Sequence, residues 1–226
     1  MVANAGPKYT AEQFGIGGHM KTDNSPATTF LLIRHGTYDD MSRILSGSRP
    51  GVGLNASGRA EIARLASCLH SVPVRALYSS PLPRARETAT LLAETLRVPV
   101  EISEAFGEID FGDWAGRSFD DLAGSTEWRN FNTCRSGAPT AAGQLMAEVQ
   151  TRAVREMMRL ANHRRGETVC VISHGDVIKA ALAYYAGIPL DLFHRLEISP
   201  SSVSAIRLHD SGPQLLCINW LDHVPC

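Results

Sequence analysis

The chain has 226 residues, of which 44% are hydrophobic and 20% are charged, and its formal net charge is −1. This length supports one full-sized domain with a substantial core, whereas two small domains would be less economical. A charge so close to zero argues against a general binder of nucleic acid or of anionic membranes, because such binders need an excess of cationic side chains.

The first 27 residues are interpreted as a flexible leader, followed by a single domain over residues 28–226. The leader mixes Gly, Asn, Lys, Thr, Ser and Pro with isolated apolar residues and has no hydrophobic segment typical of a secretory signal. No apolar run of the sequence reaches the roughly 18 residues that span a bilayer. We therefore expect a cytoplasmic protein.

The first half of the domain alternates apolar strands with amphipathic helices. The run Thr29–Arg34 is continuous and β-rich, as expected for a strand buried on both faces of a parallel sheet. After a glycine-rich loop at residues 46–53, Asn55 or Ser57 can cap a helix with apolar residues at helical spacing. A strand, a helix and a short strand are predicted next, at Val74–Ser79, Pro83–Arg97 and Val100–Ile102.

The second half begins with an irregular stretch, residues 103–139, that is rich in glycine, aspartate and aromatic residues. We expect a long functional loop there, with one helical turn near Asp120–Leu122. A long helix is predicted from about Thr140 to Asn162. It is followed by a strand, a helix and a final hairpin, at Thr168–Ser173, Asp176–Ala186, Val203–Leu208 and Gln214–Trp220. This order indicates an α/β sandwich, mostly parallel in the middle with an antiparallel edge.

Two of the predicted strands end in a His-Gly pair. The first leads into Arg34-His35-Gly36 and the second into Ser173-His174-Gly175. Ligands of such sheets bind beyond the carboxyl ends of the strands, so both imidazoles are expected at one edge of the sheet. Neutral imidazole is a good nucleophile at pH 7, which makes His35 a candidate attacking group. The planar guanidinium of Arg34 can grip two phosphate oxygens.

Two further segments carry groups that phosphoryl transfer needs. A phosphate dianion requires fixed cations, and the leaving oxygen requires a proton. The segment after the second strand enters a helix whose first turn carries Arg84, which can point towards the same pocket. A carboxylate of residues 107–114 can protonate a leaving alkoxide. Glu108, Asp110 and Asp113 are the candidates for this acid.

Together these motifs resemble those of the histidine phosphatase (phosphoglycerate mutase-like) superfamily. The resemblance covers roughly residues 29–220 and rests on four motifs in the family's order: Arg34-His35-Gly36, Ser79–Ala89, Glu108–Gly112 and Ser173-His174-Gly175. It implies a three-layer α/β/α sandwich whose central sheet is mostly parallel, with an antiparallel edge strand. It also implies that His35 becomes phosphohistidine, that Arg34, Arg84 and His174 hold the phosphoryl oxygens, and that Glu108 donates the proton.

The resemblance implies no metal and no organic cofactor. A zinc site built from His35, His174 and Glu108 is disfavoured, because the neighbouring arginines would repel a cation. His174 is expected to be at least partly protonated, since a nearby phosphate dianion raises the pKa of a histidine.

The chain departs from the family pattern around the phosphate site. Met41 stands where many members carry an asparagine that contacts phosphate. Ser46 and Gly47 are expected to offer a hydroxyl and an amide in its place, and Gly175 is expected to contact the substrate. Because of these departures, the substrate of no family member is carried over to this chain.

The predicted reaction is hydrolysis of a small phosphorylated metabolite. Two alternatives stay open: a cofactor-dependent phosphoglycerate mutase-type phosphomutase, and a non-catalytic phosphate-binding regulatory module. A mutase would carry a longer insertion and a basic cluster for a carboxylate, which residues 118–139 do not resemble. The partners expected are a small phosphomonoester, no nucleic acid and no membrane. The oligomeric state is left open, with a homodimer as one option.

The five cysteines are odd in number and widely spaced, and no two form a C-x-x-C pair. Three of them, Cys68, Cys170 and Cys217, lie in apolar segments, where cysteine behaves as a small buried hydrophobic residue. This pattern predicts a reducing compartment.

Overall fold

The computed structural model describes residues 26–221. Numbered in chain order, its strands are β1 (Thr28–Arg34), β2 (Val74–Ser79), β3 (Val100–Ile102), β4 (Thr168–Ser173), β5 (Val203–His209) and β6 (Gly212–Trp220). Its α-helices are α1 (Ala56–Leu69), α2 (Pro83–Leu96), α3 (Phe119–Ala123), α4 (Thr126–Thr133), α5 (Met146–His163) and α6 (Gly175–Ala186). Short 3₁₀ helices cover Glu104–Phe106, Gly112–Trp114 and Leu190–Arg195.

The six strands form one sheet in the order β3-β2-β4-β1-β5-β6. β1 and β2 both pair in parallel with β4, and β3 pairs in parallel with β2. β5 runs antiparallel to both of its neighbours, β1 and β6. The mostly parallel sheet is therefore confirmed. The reversed strand β5 lies one place inside the edge, which β6 forms.

Side chains of β1 alternate between two cores, one on each face of the sheet. Leu31 and Ile33 pack with residues of α1 and α2, including Ile62, Leu65 and Leu92. Phe30 and Leu32 pack on the other face with residues of α5 and α6, including Met157 and Leu182. All four β1 side chains are buried. This arrangement confirms the predicted three-layer α/β/α sandwich and explains why the strand is a continuous apolar run.

Local signals fix the helix ends close to where the sequence predicts them. The side chain of Asn55 accepts a hydrogen bond of 2.9 Å from the amide of Gly58 and so caps α1. Pro83 occupies the first turn of α2. That helix ends at Leu96, one residue before the prediction, because Arg97 adopts a left-handed conformation with φ of 57°.

Residues 103–139 contain more helix than the single turn that the sequence predicts. Besides two 3₁₀ turns, α3 and α4 form there, each capped by a serine. Ser118 Oγ accepts from the amide of Asp121, and Ser125 Oγ accepts from the amide of Trp128. The turn predicted near Asp120–Leu122 is therefore present as α3, and α4 is additional. The serine three residues before each capped amide is a readable signal for both helices.

The long helix α5 begins at Met146, six residues after the predicted start. Thr140 instead closes a turn with Gln144, since its amide donates to the Gln144 carbonyl and its hydroxyl accepts from the Gln144 amide. Gly143 within that turn has φ of 82°, which a helix does not allow. The carboxylate of Glu148 accepts from the amide of Leu145 at 2.9 Å and fixes the true start.

The flexible leader predicted for residues 1–27 lies outside the described residues except for positions 26 and 27. It stays a prediction, as does the extension of the single domain to residue 226. Within residues 26–221, none of the helices combines the length and the apolar character that crossing a membrane requires.

Candidate active site

The two His-Gly pairs meet at the carboxyl edge of the sheet. In the parallel register of β1 and β4, Arg34 stands opposite Ser173, so His35 and His174 are the next residues of two neighbouring strands. The ring centroids of His35 and His174 are 5.1 Å apart, and both side chains are buried. Sheet register alone therefore brings together two histidines that are about 140 positions apart in the chain.

Hydrogen bonds fix the tautomer of His35. Its Nδ1 lies 2.9 Å from the carbonyl oxygen of Gly36, which can only accept, so Nδ1 carries the hydrogen. Nε2 keeps its lone pair and accepts a hydrogen bond of 3.2 Å from Nε of Arg84. Burial, then the charges of Arg84 and Arg34, lower the pKa of His35 well below the usual value. The ring is therefore neutral at pH 7, with its nucleophilic nitrogen facing a guanidinium.

His174 is held in the opposite tautomer. Arg84 Nη2 lies 3.2 Å from Nδ1 of His174, and because a guanidinium only donates, Nδ1 is the acceptor. Nε2–H then donates to Ser80 Oγ at 2.7 Å. Burial, followed by the charge of Arg84, lowers the pKa of His174 well below the usual value. The partly protonated ring that the sequence predicts concerns the site with a phosphate dianion bound, and it stays a prediction.

Arg84 joins the two histidines of the site and is only 1% exposed. Besides its bonds to His35 and His174, it donates from Nη2 to the carbonyl oxygen of Gly47 at 2.8 Å. Its Nη1 is buried and has no hydrogen-bond partner among residues 26–221. Gly47 thus contributes a carbonyl to hold Arg84, where the sequence predicts an amide for the substrate. Ser46, which is buried, lines the same cavity as predicted.

Arg34 lies across the start of α6. Its Nη1 donates to the carbonyl of Ile198 at 2.7 Å, and its Nη2 lies 3.9 Å from the sulfur of Met41. A Cβ atom on Gly175 would stand 3.4 Å from the guanidinium carbon of Arg34. Gly175 therefore allows Arg34 to pack closely against the helix N-terminus. Met41 offers only a weak sulfur acceptor at the position of the family's asparagine.

Glu108 is the carboxylate that the structure brings to the two histidines. Its Oε2 lies 3.8 Å from Nδ1 of His174, and its Oε1 accepts from the amide of Ile109 at 3.1 Å. Burial, then the negative charge of Asp176, raise the pKa of Glu108 to about 7. The alternatives Asp110 and Asp113 are exposed, and Asp110 instead caps the amide of Gly112 at 3.0 Å.

Arg34, Arg84, Glu108, Ser46, Gly47 and Gly175 line a cavity of about 240 Å³. The buried His35 and His174 adjoin this lining through their hydrogen bonds to Arg84. Its further walls are an aromatic side with Tyr38, Phe111, Phe119 and Trp128, and a polar side with Asn132, Arg135, Asp176 and Lys179. The described residues form no cluster of three His, Cys, Asp or Glu side chains suited to a metal ion. The cavity is thus cationic at Arg34 and Arg84 and carries further charged groups on its polar side.

The sequence analysis missed Ser80, Tyr38 and the whole polar side of the cavity. Two signals were available for part of this set. Ser80 follows β2, the neighbour of β4, so it reaches the same edge of the sheet as His174. Asp176 and Lys179 follow the second His-Gly pair within about one helical turn. Nothing comparable marks Arg135, which the fold of residues 103–139 carries to the cavity.

Comparisons with known proteins agree on one family. The model of the histidine phosphatase superfamily (branch 1) matches residues 30–221. The adenosylcobalamin/alpha-ribazole phosphatase of Escherichia coli K12 is 29% identical over 193 residues, which cover 83% of this chain and 94% of the relative. YhfR of Bacillus stearothermophilus is 28% identical with a TM-score of 0.78, covering 84% of this chain and 95% of that one.

A third solved structure supports the fold alone. Phosphoserine phosphatase of Entamoeba histolytica, in complex with 3-phosphoglyceric acid, is 24% identical with a TM-score of 0.79. The alignment covers 87% of this chain and 98% of that one.

Proposed function

The chain belongs to the histidine phosphatase superfamily, branch 1, and on that premise we propose that it hydrolyses a small phosphomonoester through a phosphohistidine. One observation carries the proposal. His35 directs the lone pair of Nε2 at Arg84, which lines a cavity together with Arg34 and with Glu108, whose carboxyl group has a pKa of about 7. A nucleophile, cations for the phosphate and an acid for the leaving oxygen are the three requirements of this reaction.

In the first step, Nε2 of His35 attacks the phosphorus and forms a P–N bond. The P–O bond to the alcohol breaks, and the departing oxygen takes the proton of Glu108. The raised pKa of Glu108 supports this role, because a substantial fraction of the carboxyl group is protonated at pH 7. Arg34 and Arg84 together carry two positive charges, which match a phosphate dianion.

In the second step, water attacks the phosphohistidine. The Glu108 carboxylate takes a proton from this water while the P–N bond breaks and its electron pair returns to Nε2 of His35. Inorganic phosphate leaves, and both side chains are restored for another turnover. Nδ1–H of His35 keeps its hydrogen bond to the Gly36 carbonyl throughout, so the ring does not need to turn between the steps.

The natural substrate is proposed only as a class. The cavity of about 240 Å³ suits a phosphorylated metabolite rather than a folded phosphoprotein. Sugar phosphates, phosphorylated hydroxy acids and α-ribazole phosphate form the first panel, the last because of the name of the Escherichia coli relative. A cytoplasmic location also stays a proposal, supported by the cysteine pattern of the sequence.

The experiment that tests the proposal traps the intermediate. The protein is mixed with p-nitrophenyl phosphate without added metal, and acid-labile phosphate is mapped by mass spectrometry of base-quenched digests. We expect phosphate on the peptide that contains His35. His35→Ala should remove it and lower turnover by several orders of magnitude. The matched control is His70→Ala, since His70 is exposed at the end of α1.

Two results would contradict the proposal. Phosphate binding without turnover on the whole panel would identify a regulatory phosphate-binding module. Isomerisation of 3-phosphoglycerate, primed with 2,3-bisphosphoglycerate and faster than hydrolysis, would identify a phosphomutase.

A further inference from the structure

The cavity contains a lysine in a protein that otherwise relies on arginine. Three of the 22 basic residues of the chain are lysines, and Lys179 is the only one within residues 26–221. It lines the active-site cavity, on the polar side formed with Asn132, Arg135 and Asp176. Lysine differs from arginine in presenting a compact point charge on a flexible stem, which suits a single anionic group.

The position of Lys179 on α6 points its charge back to the reaction centre. It follows Gly175 by four residues, so the two lie on the same face, separated by about 6 Å of helix rise. Helical side chains lean towards the N-terminus, and here that end carries His174 and the guanidinium of Arg34. The ammonium is therefore directed towards the end of α6 at which a phosphoryl group would bind.

The other charges at this end of the cavity neutralise one another. Arg135 Nη1 binds Asp176 Oδ2 at 2.9 Å, and Arg135 Nη2 donates to the side-chain oxygen of Asn132 at 2.8 Å. The guanidinium of Arg135 is also stacked over the ring of Phe131 at 3.9 Å. Lys179 forms no hydrogen bond or close ion pair with the described part of the chain, but its charge acts on Asp176: burial raises the pKa of Asp176, and the charges of Arg135 and then Lys179 outweigh it. Two cations therefore face one carboxylate, which leaves one positive charge over.

We propose that Lys179 binds a carboxylate of the substrate, so that the enzyme acts on phosphorylated hydroxy or amino acids. This inference rests on the proposed function. A carboxylate carries the single negative charge that one ammonium balances, whereas a second phosphate would leave one charge uncompensated. A neutral sugar would leave this excess positive charge without an anionic partner in the cavity.

The kinetic test compares two substrates that differ at one group. 3-Phosphoglycerate and glycerol 3-phosphate share the phosphate and the hydroxyl, but the first has a carboxylate where the second has a hydroxymethyl group. We expect the wild-type kcat/KM to favour 3-phosphoglycerate. Lys179→Met should lower that preference by roughly 10- to 100-fold, and Lys179→Arg should restore part of it. Arg155→Met, which removes an exposed cation on α5, should leave the preference unchanged.

A spectroscopic test does not depend on turnover. The few lysines can be reductively methylated with ¹³C, which keeps their charge, and the signal of Lys179 is assigned by its loss in Lys179→Met. In the His35→Ala background, 3-phosphoglycerate should shift this signal, whereas glycerol 3-phosphate should not. Equal shifts with both ligands, or an unchanged preference in Lys179→Met, would overturn the assignment.

Two outcomes separate this inference from the proposed function. A larger shift and a larger preference with glycerol 1,3-bisphosphate, which carries a second phosphate and no carboxylate, would replace the carboxylate by a second phosphate and so refute the inference alone. A carboxylate-selective shift in a protein that hydrolyses no phosphomonoester would support the Lys179 site while refuting the phosphatase.

Discussion

Ser80 Oγ and Nε2 of His174 are joined by a hydrogen bond of 2.7 Å. Because Arg84 donates to the other ring nitrogen, Nε2 carries the hydrogen, and Ser80 supplies the acceptor for it. Ser80 also accepts from the amide of Leu82 at 3.3 Å, which ties it to the start of α2. The orientation of one imidazole therefore depends on a serine that follows β2, the strand next to β4.

Ser80→Ala should lower kcat/KM by about tenfold and destabilise the protein by about 1–3 kcal/mol, because the buried Nε2–H of His174 loses its acceptor. Denaturant titration measures the stability. The ¹⁵N shifts of the His174 ring should still report the Nε2–H tautomer, because Arg84 continues to donate to Nδ1. Ser67→Ala, an exposed position on α1, is the matched control. A Ser80→Ala protein with the stability and kcat/KM of the wild type would show that Ser80 does not position the ring.

Glu108→Gln should separate substrates by their leaving groups. We expect kcat/KM for alkyl phosphates to fall roughly 100- to 10,000-fold, since an alkoxide needs a proton to depart. p-Nitrophenyl phosphate should be affected far less, because p-nitrophenolate leaves without protonation. The ratio kcat/KM is the right measure here, since it reports the phosphorylation step even where hydrolysis of the phosphohistidine limits kcat. Equal losses on both substrates would argue against an acid role for Glu108.

The activity should fall on the alkaline side as Glu108 loses its proton. Burial and Asp176 raise the pKa of Glu108 to about 7, so the acid form that protonates alkoxides declines as pH rises through that value. This alkaline limb of the pH–rate profile should be seen in kcat/KM for alkyl phosphates and be absent for p-nitrophenyl phosphate.

Asp176→Asn should move this limb to lower pH, because it removes the negative charge that disfavours ionised Glu108, while the amide oxygen can still accept from Arg135. A limb that stays in place would assign the raised pKa of Glu108 to burial alone.

Glu61 should contribute to stability by holding the turn that follows His35. Its carboxylate accepts from the amide and hydroxyl of Thr37 and from the hydroxyl of Ser201, whose amide in turn donates to the carbonyl of Arg34. Glu61→Ala should lower the free energy of unfolding by about 1–3 kcal/mol at pH 7. Glu94→Ala, which alters an exposed residue of α2, should change it far less.

The same carboxylate predicts a pH dependence of stability. Burial raises the pKa of Glu61, but hydrogen bonds from Thr37, Ser201 and Ser57 outweigh it and hold the pKa below its ordinary value of 4.5. The contribution is therefore present above pH 4.5 and is lost as the pH falls through the lower folded-state pKa. The difference in stability between wild type and Glu61→Ala should accordingly shrink on acidification. A constant difference down to pH 3 would contradict this account.

The central strands were predictable from sequence because they are buried on both faces. β1, β2 and β4 agree with their predicted ranges to within one residue, since a short continuous apolar run is typical of a buried parallel strand. The helical turn predicted near Asp120–Leu122 is α3, whereas α4 was missed because it is short, with Phe131 as its buried residue. Helix periodicity needs more than one or two turns to be seen.

In the site, the residues adjoining strand ends were predictable, and those carried by the tertiary fold were not. His35, Arg84, Glu108 and His174 do converge, although their roles stay proposals. The pKa of His174 is lowered first by burial and then by the cations that surround it, which sequence neighbours do not reveal. Lys179 and Arg135 reach the cavity from α6 and from the segment after α4, and no pattern of spacing relates them.

The pairing of β1 with β4 has an evolutionary consequence. The two histidines follow paired strands in the centre of the sheet, whereas Trp128, Asn132 and Arg135 reach the cavity from the segment outside the sheet, residues 103–139. Mutations in that segment can therefore change which substrates the enzyme selects without disturbing the residues that break the ester bond. Such a separation makes the scaffold a source of new metabolic specificities.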